Sequence, residues 1–438
     1  MKRRVYALML ILLTLTIWSA YAAGPYCVDT EYVVALVNMD GTECIPNGIY
    51  ENIFCLKSGS LYAAGKSGEY HLFNEKGVQL TEDTFAMARL VGEIIIFRRD
   101  GMYGAMDVSG NVLIEPVWRQ LIANGDGGFL ALDSSPLDDQ ADEIIYIDNE
   151  GKAVFTGNYI LSGLRDISDD RMPFMTSDGH YGYLDERGTV VIPASWLYAG
   201  DFLEGIACVT GDNGKGMIDT NGNVIIEPIY TYLERGENLV VALSETGEAT
   251  VFEMEGRSRF NITGEQLQVS VVQNCVVAVD AVETRVYGAD GTCLLTASAG
   301  AVVSAGLNGQ LVIFDGEWGE KCQWLINADG SAASEKYQRI LPLAGDRYAY
   351  LTMSGTDYYS ADLGTLQKSW DYDSLRYGLM DGQGQILLPA EYLEICALDE
   401  DRFLLIEAGA VYFADENGQV VRTWTTAEGE SASSEAGA

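Results

Sequence analysis

A corner of the form Asp-x-x-Gly, followed at once by a β-branched run, returns along this 438-residue chain at nearly constant spacing. The clearest copy runs Gly216-Met217-Ile218-Asp219-Thr220-Asn221-Gly222-Asn223-Val224-Ile225-Ile226-Glu227-Pro228. Three more follow the same plan, from Gly104 through Asp107 and Gly110 to Pro116, from Gly182 through Asp185 and Gly188 to Pro193, and from Gly378 through Asp381 and Gly384 to Pro389. Weaker copies turn at Gly41, Gly77, Gly151, Gly256, Gly291, Gly330 and Gly418. Nine of the ten intervals between these eleven glycines fall between 33 and 41 residues. The exception, 54 residues from Gly330 to Gly384, covers Tyr358 to Arg376, which reads as an insertion or a decayed copy around Gly364. Such regularity means one supersecondary unit repeated in tandem.

The unit is hairpin chemistry. Aspartate opens the turn by accepting backbone amide hydrogens ahead of it, and the glycine three residues on takes the left-handed backbone that closes the corner. Valine, isoleucine and leucine beyond it favour extended chain, and proline is expected to end the strand because it cannot donate to the ladder. A second apolar run precedes each corner, as in Asn238–Leu243, Arg402–Ile406 and Glu93–Phe97. Each unit is therefore three or four short antiparallel strands, and no window carries a sustained helical period. One unit cannot bury its apolar face alone, so neighbours must share cores. The expected fold is all-β: about eleven units of roughly 35 residues over 23–426, packed propeller-like in one large ring or two, with an open superhelical array as the alternative. Two sub-domains meeting near 210–260 are one possible division of the array.

The segment Phe202-Leu203-Glu204-Gly205-Ile206-Ala207-Cys208-Val209, then Asn213-Gly214-Lys215-Gly216-Met217-Ile218-Asp219, Gly222 and Ile226-Glu227-Pro228-Ile229-Tyr230, resembles a WG repeat, related to the KWG repeats. The Trp-Gly pair of that family is replaced here by Tyr103-Gly104, Tyr181-Gly182 and Tyr377-Gly378, and at Gly216 the aromatic is missing. The match is specific in four copies and degenerate in the others. The resemblance implies tandem β-repeats, commonly exported or surface-associated, with no shared enzymatic activity and no catalytic residue to carry over.

Residues 1–22 read as a signal peptide: Lys2, Arg3 and Arg4, an apolar stretch from Ala7 to Ile17, and Ala20-Tyr21-Ala22 as the small-residue cleavage site. An uncleaved anchor is the alternative, because Val5 to Ala23 could just span a thin bilayer. Residues 427–438 form a small-residue acidic tail expected to be disordered. With 64 acidic against 27 basic residues the formal charge is −37, which disfavours nucleic acid and anionic membrane surfaces. Eight cysteines contain no CxxC pair, and a chain this long needs no staples. Cys208 and Cys275 sit in apolar strands, while Cys27, Cys44 and Cys55 lie close enough in sequence for one local bridge.

Catalytic motifs fail on spacing. Gly59 to Lys66 has one residue too many between its glycines for a phosphate loop, and strand rather than helix follows it. Asp219-Thr220-Asn221-Gly222-Asn223 places its glycine fourth, where a calcium loop needs it sixth. Only His71 and His180 exist, and neither has a nucleophile beside it in sequence. No metal or cofactor site is marked out. Among the aromatics, Trp118, Trp196 and Tyr230 follow the repeat prolines and are the candidates for exposed binding residues. The expectation is a monomeric, exported, secreted or cell-surface scaffold that holds a protein or glycan without catalysis. A structural envelope component and a propeller-type hydrolase with carboxylate catalysts are the alternatives.

Overall fold

The computed structural model describes residues 25–30, 33–123, 128–132, 142–147, 153–159, 168–185, 188–317, 320–360 and 365–425. The segments read as a signal peptide and an acidic tail, and the corner at Gly151, lie outside them. Among the described residues every strand pairing is antiparallel, and the one helical element is a single 3-10 turn, Tyr372–Ser374. No helix among them is long and apolar enough to cross a membrane. The eight cysteines are free thiols.

Among the described residues eleven sheets follow one another, over 26–45, 52–74, 87–118, 120–159, 172–196, 198–230, 232–262, 268–298, 302–326, 339–392 and 394–425. Each pairs its strands in chain order, three or four to a sheet. The long repeat interval has a simple cause. In the tenth sheet a separate hairpin, Gly355–Ser360 with Thr365–Trp370, is inserted between the paired strands Arg347–Thr352 and Arg376–Asp381. The stretch Gly59–Lys66, which resembled a phosphate loop, is a turn and a strand (Leu61–Lys66) of the second sheet.

Alternation puts one row of apolar side chains on each face of a sheet, and both rows must be covered. Eleven buried clusters do this, each lying between two consecutive sheets. Met217 and Ile226 meet Val240, Ala242 and Phe252 across the seam of the sixth and seventh sheets. The final cluster joins the ends: Val28, Ala35 and Val37 of the first sheet pack against Leu404, Ile406, Phe413 and Trp424 of the eleventh. The succession of seams is a closed cycle, so the array is one propeller-like ring, neither two rings nor an open array. First strands of neighbouring sheets approach one another, as Asn52–Lys57 does Met87–Val91 and Gln268–Val272 does Val302–Ala305, and they form the axial side. Last strands such as Val112–Trp118 and Val224–Tyr230 form the rim and expose Val112, Leu113, Val117, Val224 and Ile229.

The corner glycines carry the joints. Gly41, Gly77, Gly110, Gly188, Gly222, Gly256, Gly291, Gly330, Gly384 and Gly418 all have positive φ, between 72° and 88°. Seven of them also press on the last strand of the preceding sheet, and Gly110 and Gly384 press on the segment that follows it. A Cβ added at Gly256 would lie 2.3 Å from Ile225 O, at Gly77 2.4 Å from Cys44 O, at Gly330 2.5 Å from Leu294 O, and at Gly418 2.5 Å from Leu388 Cδ1. The closing seam obeys the same rule, because Gly41 rests on Val421 and Arg422. Side chains tie the same corners: Arg171 Nε donates to Thr220 O (3.0 Å), Arg259 to Ala289 O (2.9 Å), Gln310 to Gly382 O (2.7 Å) and Arg347 Nε to Glu416 O (3.1 Å). At closure Arg422 donates to Gly41 O (2.7 Å), and Trp424 Nε1 donates to Glu43 Oε1 (2.8 Å).

Two glycines of the seventh sheet separate backbone conformation from seating. Both have φ +81°, but the Cβ site at Gly247 is open while that at Gly256 is blocked. Gly247→Ala should cost about 1 kcal/mol, the left-handed penalty alone. Gly256→Ala should cost about 2 kcal/mol more, because the neighbouring sheet must move. Urea unfolding of the two variants against the parent measures the difference, and equal losses would contradict the seating role.

Candidate functional site

The repeat's aromatic-Gly pair is a structural device. In the sixth sheet Lys215 pairs with Tyr230 and Met217 with Ile226, so Glu227, Pro228 and Ile229 bulge opposite the single residue Gly216. The third and fifth sheets bulge identically, with Tyr103 opposite Trp118 and Tyr181 opposite Trp196. The bulged backbone drops onto the glycine. A Cβ on Gly216 would lie 2.4 Å from Ile226 O, on Gly182 2.5 Å from Ile192 O, and on Gly104 2.7 Å from Ile114 O. Here the prolines do not end their strands. Pro116, Pro193 and Pro228 lie inside Val112–Trp118, Val190–Trp196 and Val224–Tyr230, because a bulge asks no ladder bond of the missing N–H.

This arrangement corrects the reading of Trp118, Trp196 and Tyr230 as exposed binding residues. Each is only half-exposed, packed against the cluster between its own sheet and the next. Trp196 lies against Gly211 of the following sheet, its indole N–H buried without a partner. Tyr230 meets Phe252 edge-on at 5.9 Å. They sit in three different sheets, one in each of three seams, and form no common patch.

Exposed aromatic surface lies two residues farther on. Tyr198 and Tyr232, 45% and 39% exposed, open the first strands of the sixth and seventh sheets on the axial side. Leu197, next to Tyr198 in the chain, is exposed as well. A shallow pocket of about 50 Å³ lies between these two strands, lined by Tyr198, Cys208, Val209, Thr210, Lys215 and Leu233. Tyr232 Oη donates to Glu234 Oε2 at 2.8 Å. Burial first, and then this carboxylate, push its phenol up to about 12, so it stays neutral. The pocket thus offers one aromatic face, aliphatic area and one ammonium group, while Tyr232 lies on the opposite face of its strand from the pocket residue Leu233. The sequence signal was available in the placement of both tyrosines two positions after a strand-end aromatic, but their exposure follows from which strand is axial.

A larger cleft, about 340 Å³, opens on the corner side where the ninth, tenth and eleventh sheets meet. Asn308, Gly345, Asp346, Arg347, Glu400, Asp401 and Glu416 line it. Arg347 pairs with Asp346, Asn308 Nδ2 donates to Gly345 O at 3.0 Å, and Arg402 stands 3.9 Å from Glu416. Its carboxylates are solvated among polar groups, without the apolar enclosure that makes a carboxyl a general acid. His180 stands 3.3 Å from Asp178, and His71 Nδ1 lies 3.2 Å from Thr81 O, so neither faces a nucleophile in these contacts. Corner aspartates are occupied by their own turns. Asp219 Oδ1 accepts the amides of Asn221 and Asn223 at 2.9 and 2.8 Å, and Oδ2 accepts from Asn223 Nδ2 at 2.8 Å. Asp107 repeats this with Ser109 and Asn111. No group of three or more metal-ligating side chains assembles among the described residues.

A closed succession of antiparallel sheets joined by corner glycines defines a repeat scaffold of propeller-like build. Residues 181–215 and 216–235 match the family described as WG containing repeat, and these units, which carry Tyr198, Lys215 and Tyr232, are WG repeats. No curated protein matches the chain. Among solved structures it is similar to a eukaryotic initiation factor (10% identity, 84% of this chain and 96% of that one, TM-score 0.46). It is also similar to BamB from Moraxella catarrhalis (15%, 68% and 92%, TM-score 0.28) and to Hsv2 from Kluyvelomyces marxianus (11%, 60% and 98%, TM-score 0.30).

The corner carboxylates make an acid test. Burial opposes ionisation of Asp219 and Asp107, but the turn hydrogen bonds outweigh it and hold both carboxyls below the ordinary aspartate range. Their stabilisation is complete above the unfolded value near 3.9 and disappears as pH falls through the lower folded value. Asp219→Asn should cost about 0.5–1 kcal/mol at neutral pH, a small figure because the turn is solvated. The gap in stability between parent and variant should stay level above about pH 5 and close below about pH 4. Denaturant melts across that range measure it, and a gap that widens in acid would reverse the sign argued here.

Proposed function

We propose that this chain is an exported, non-catalytic scaffold that holds a protein or glycan partner outside the cell, using the axial surface around Tyr198, Lys215 and Tyr232. The observation that carries this reading is the exposure of two tyrosine rings on consecutive axial strands, one of which, Tyr198, lines a shallow apolar pocket. Aromatic faces left in water at the centre of a rigid framework supply contact area at small entropic cost, to a sugar ring or to an apolar side chain alike. Lys215 adds a cation to this surface. The arginines at the seams bond to neighbouring corners and belong to the ring.

Export is supported by the basic, apolar and small-residue succession of residues 2–22. The charge of −37 suits a solvated exterior. The larger cleft does not favour hydrolysis, since its carboxylates are solvated and one is paired with Arg347.

The test is affinity capture from the producer's own surface and medium, with a glycan array and a glycan-hydrolysis panel in parallel. Tyr198→Ala and Tyr232→Ala should each weaken capture by about tenfold, with melting curves like the parent's. Retention of a glycan would identify one class of partner, and capture of a protein the other. Glycan turnover, or capture indifferent to both substitutions, would overturn the reading.

A further inference from the structure

We infer that Cys27 and Cys55 are the two halves of a disulfide that staples the first sheet to the second in an oxidising medium. Cys27 lies on Tyr26–Asp29 and Cys55 on Asn52–Lys57, strands of different sheets that run alongside each other. Two hydrogen bonds fix their alignment. Ile53 N donates to Asp29 Oδ2 at 2.9 Å near one end, and Tyr62 Oη donates to Pro25 O at 2.5 Å at the other. Tyr62 is the cross-strand partner of Cys55, and Cys27 lies midway between Pro25 and Asp29. The two thiols therefore fall at the same level of the seam.

Both side chains also face that seam. Cys27 packs against the cluster of Leu36, Ile53 and Tyr62. Cys55 shares a face with Ile53, two residues before it, and with its partner Tyr62. Burial is the main influence on the Cys27 thiol and pushes it up, and a charge on Cys55 pushes it further, as for groups in one pocket. Cys44 packs on the same cluster but lies on Glu43–Ile45, separated from the Cys27 strand by Val34–Val37. Two strand spacings come to about 10 Å, beyond the 7 Å or so between Cα atoms that a disulfide spans. Glu43–Ile45 makes no comparable approach to the Cys55 strand Asn52–Lys57, which runs alongside Tyr26–Asp29 instead, so of the three cysteines grouped by sequence geometry selects Cys27 and Cys55.

The oxidant is a small-molecule disulfide. Cys55, the more exposed thiol, loses its proton and attacks oxidised glutathione, forming a mixed disulfide and releasing one glutathione thiolate. Cys27 then loses its proton and attacks the Cys55 sulfur, releasing the second. Two protons and two electrons leave the protein, and one glutathione disulfide becomes two thiols.

The experiment equilibrates the full chain with glutathione redox buffers, quenches with a maleimide and reads intact mass and non-reduced peptide maps. Two of the eight thiols should disappear together, in a Cys27–Cys55 cross-linked peptide. Tm should rise by roughly 3 °C on oxidation. Cys44→Ser should leave both results intact, and Cys55→Ser should abolish both while melting like the reduced parent. A cross-link through Cys44, or eight labelled thiols at the most oxidising ratio, would overturn the inference.

Discussion

The ring depends on backbone seated against backbone at each corner. A left-handed residue can turn the chain with or without a neighbour, but Gly77, Gly256 and Gly330 also place bare Cα atoms where only a hydrogen fits beneath the previous sheet's carbonyl. Each sheet is thereby positioned by the sheet before it at a fixed height. The apolar clusters supply most of the attraction between sheets, yet a hydrophobic surface is non-directional and tolerates sliding. The corner contact, with the arginine or glutamine donors that reach the same turn, removes that freedom. A unit carrying a side chain at its corner would have to lift away and open the apolar seam beneath it.

Much of this architecture was legible because the residues at joints are constrained twice. Gly222 is needed both for the corner's φ and for its contact with Ile192, so it persists even where the rest of a unit has drifted. The long interval before Gly384 was legible for the same reason, and it corresponds to the hairpin inserted in the tenth sheet. The number of rings was not legible. Sequence spacing reports that units stack, whereas the meeting of Val28 with Phe413 depends on the angle accumulated over all the joints between.

The prolines and aromatics were misread through a local rule applied without its context. Proline lacks a donor and ordinarily marks a strand's end, but in this repeat the strand bulges over a glycine, and Pro228 occupies a position from which no ladder bond is required. The strand therefore continues to Tyr230, which becomes a cross-strand partner and enters the seam. Tyr198 and Tyr232 passed unnoticed because alternation along a strand indicates which residues share a face, and says nothing about whether that strand lies at the axis.

Among the described residues the first and last sheets meet as any other two do, with no strand of one completing the other. Many circular architectures lock their ends through an exchanged strand, which fixes where the circle must begin. Here no joint among the described residues is privileged. Duplicating or deleting a unit would leave the same lock available between whichever sheets become terminal, with the change in curvature shared among the rest. Its circumference can therefore change by whole units through recombination alone, without a new closing device.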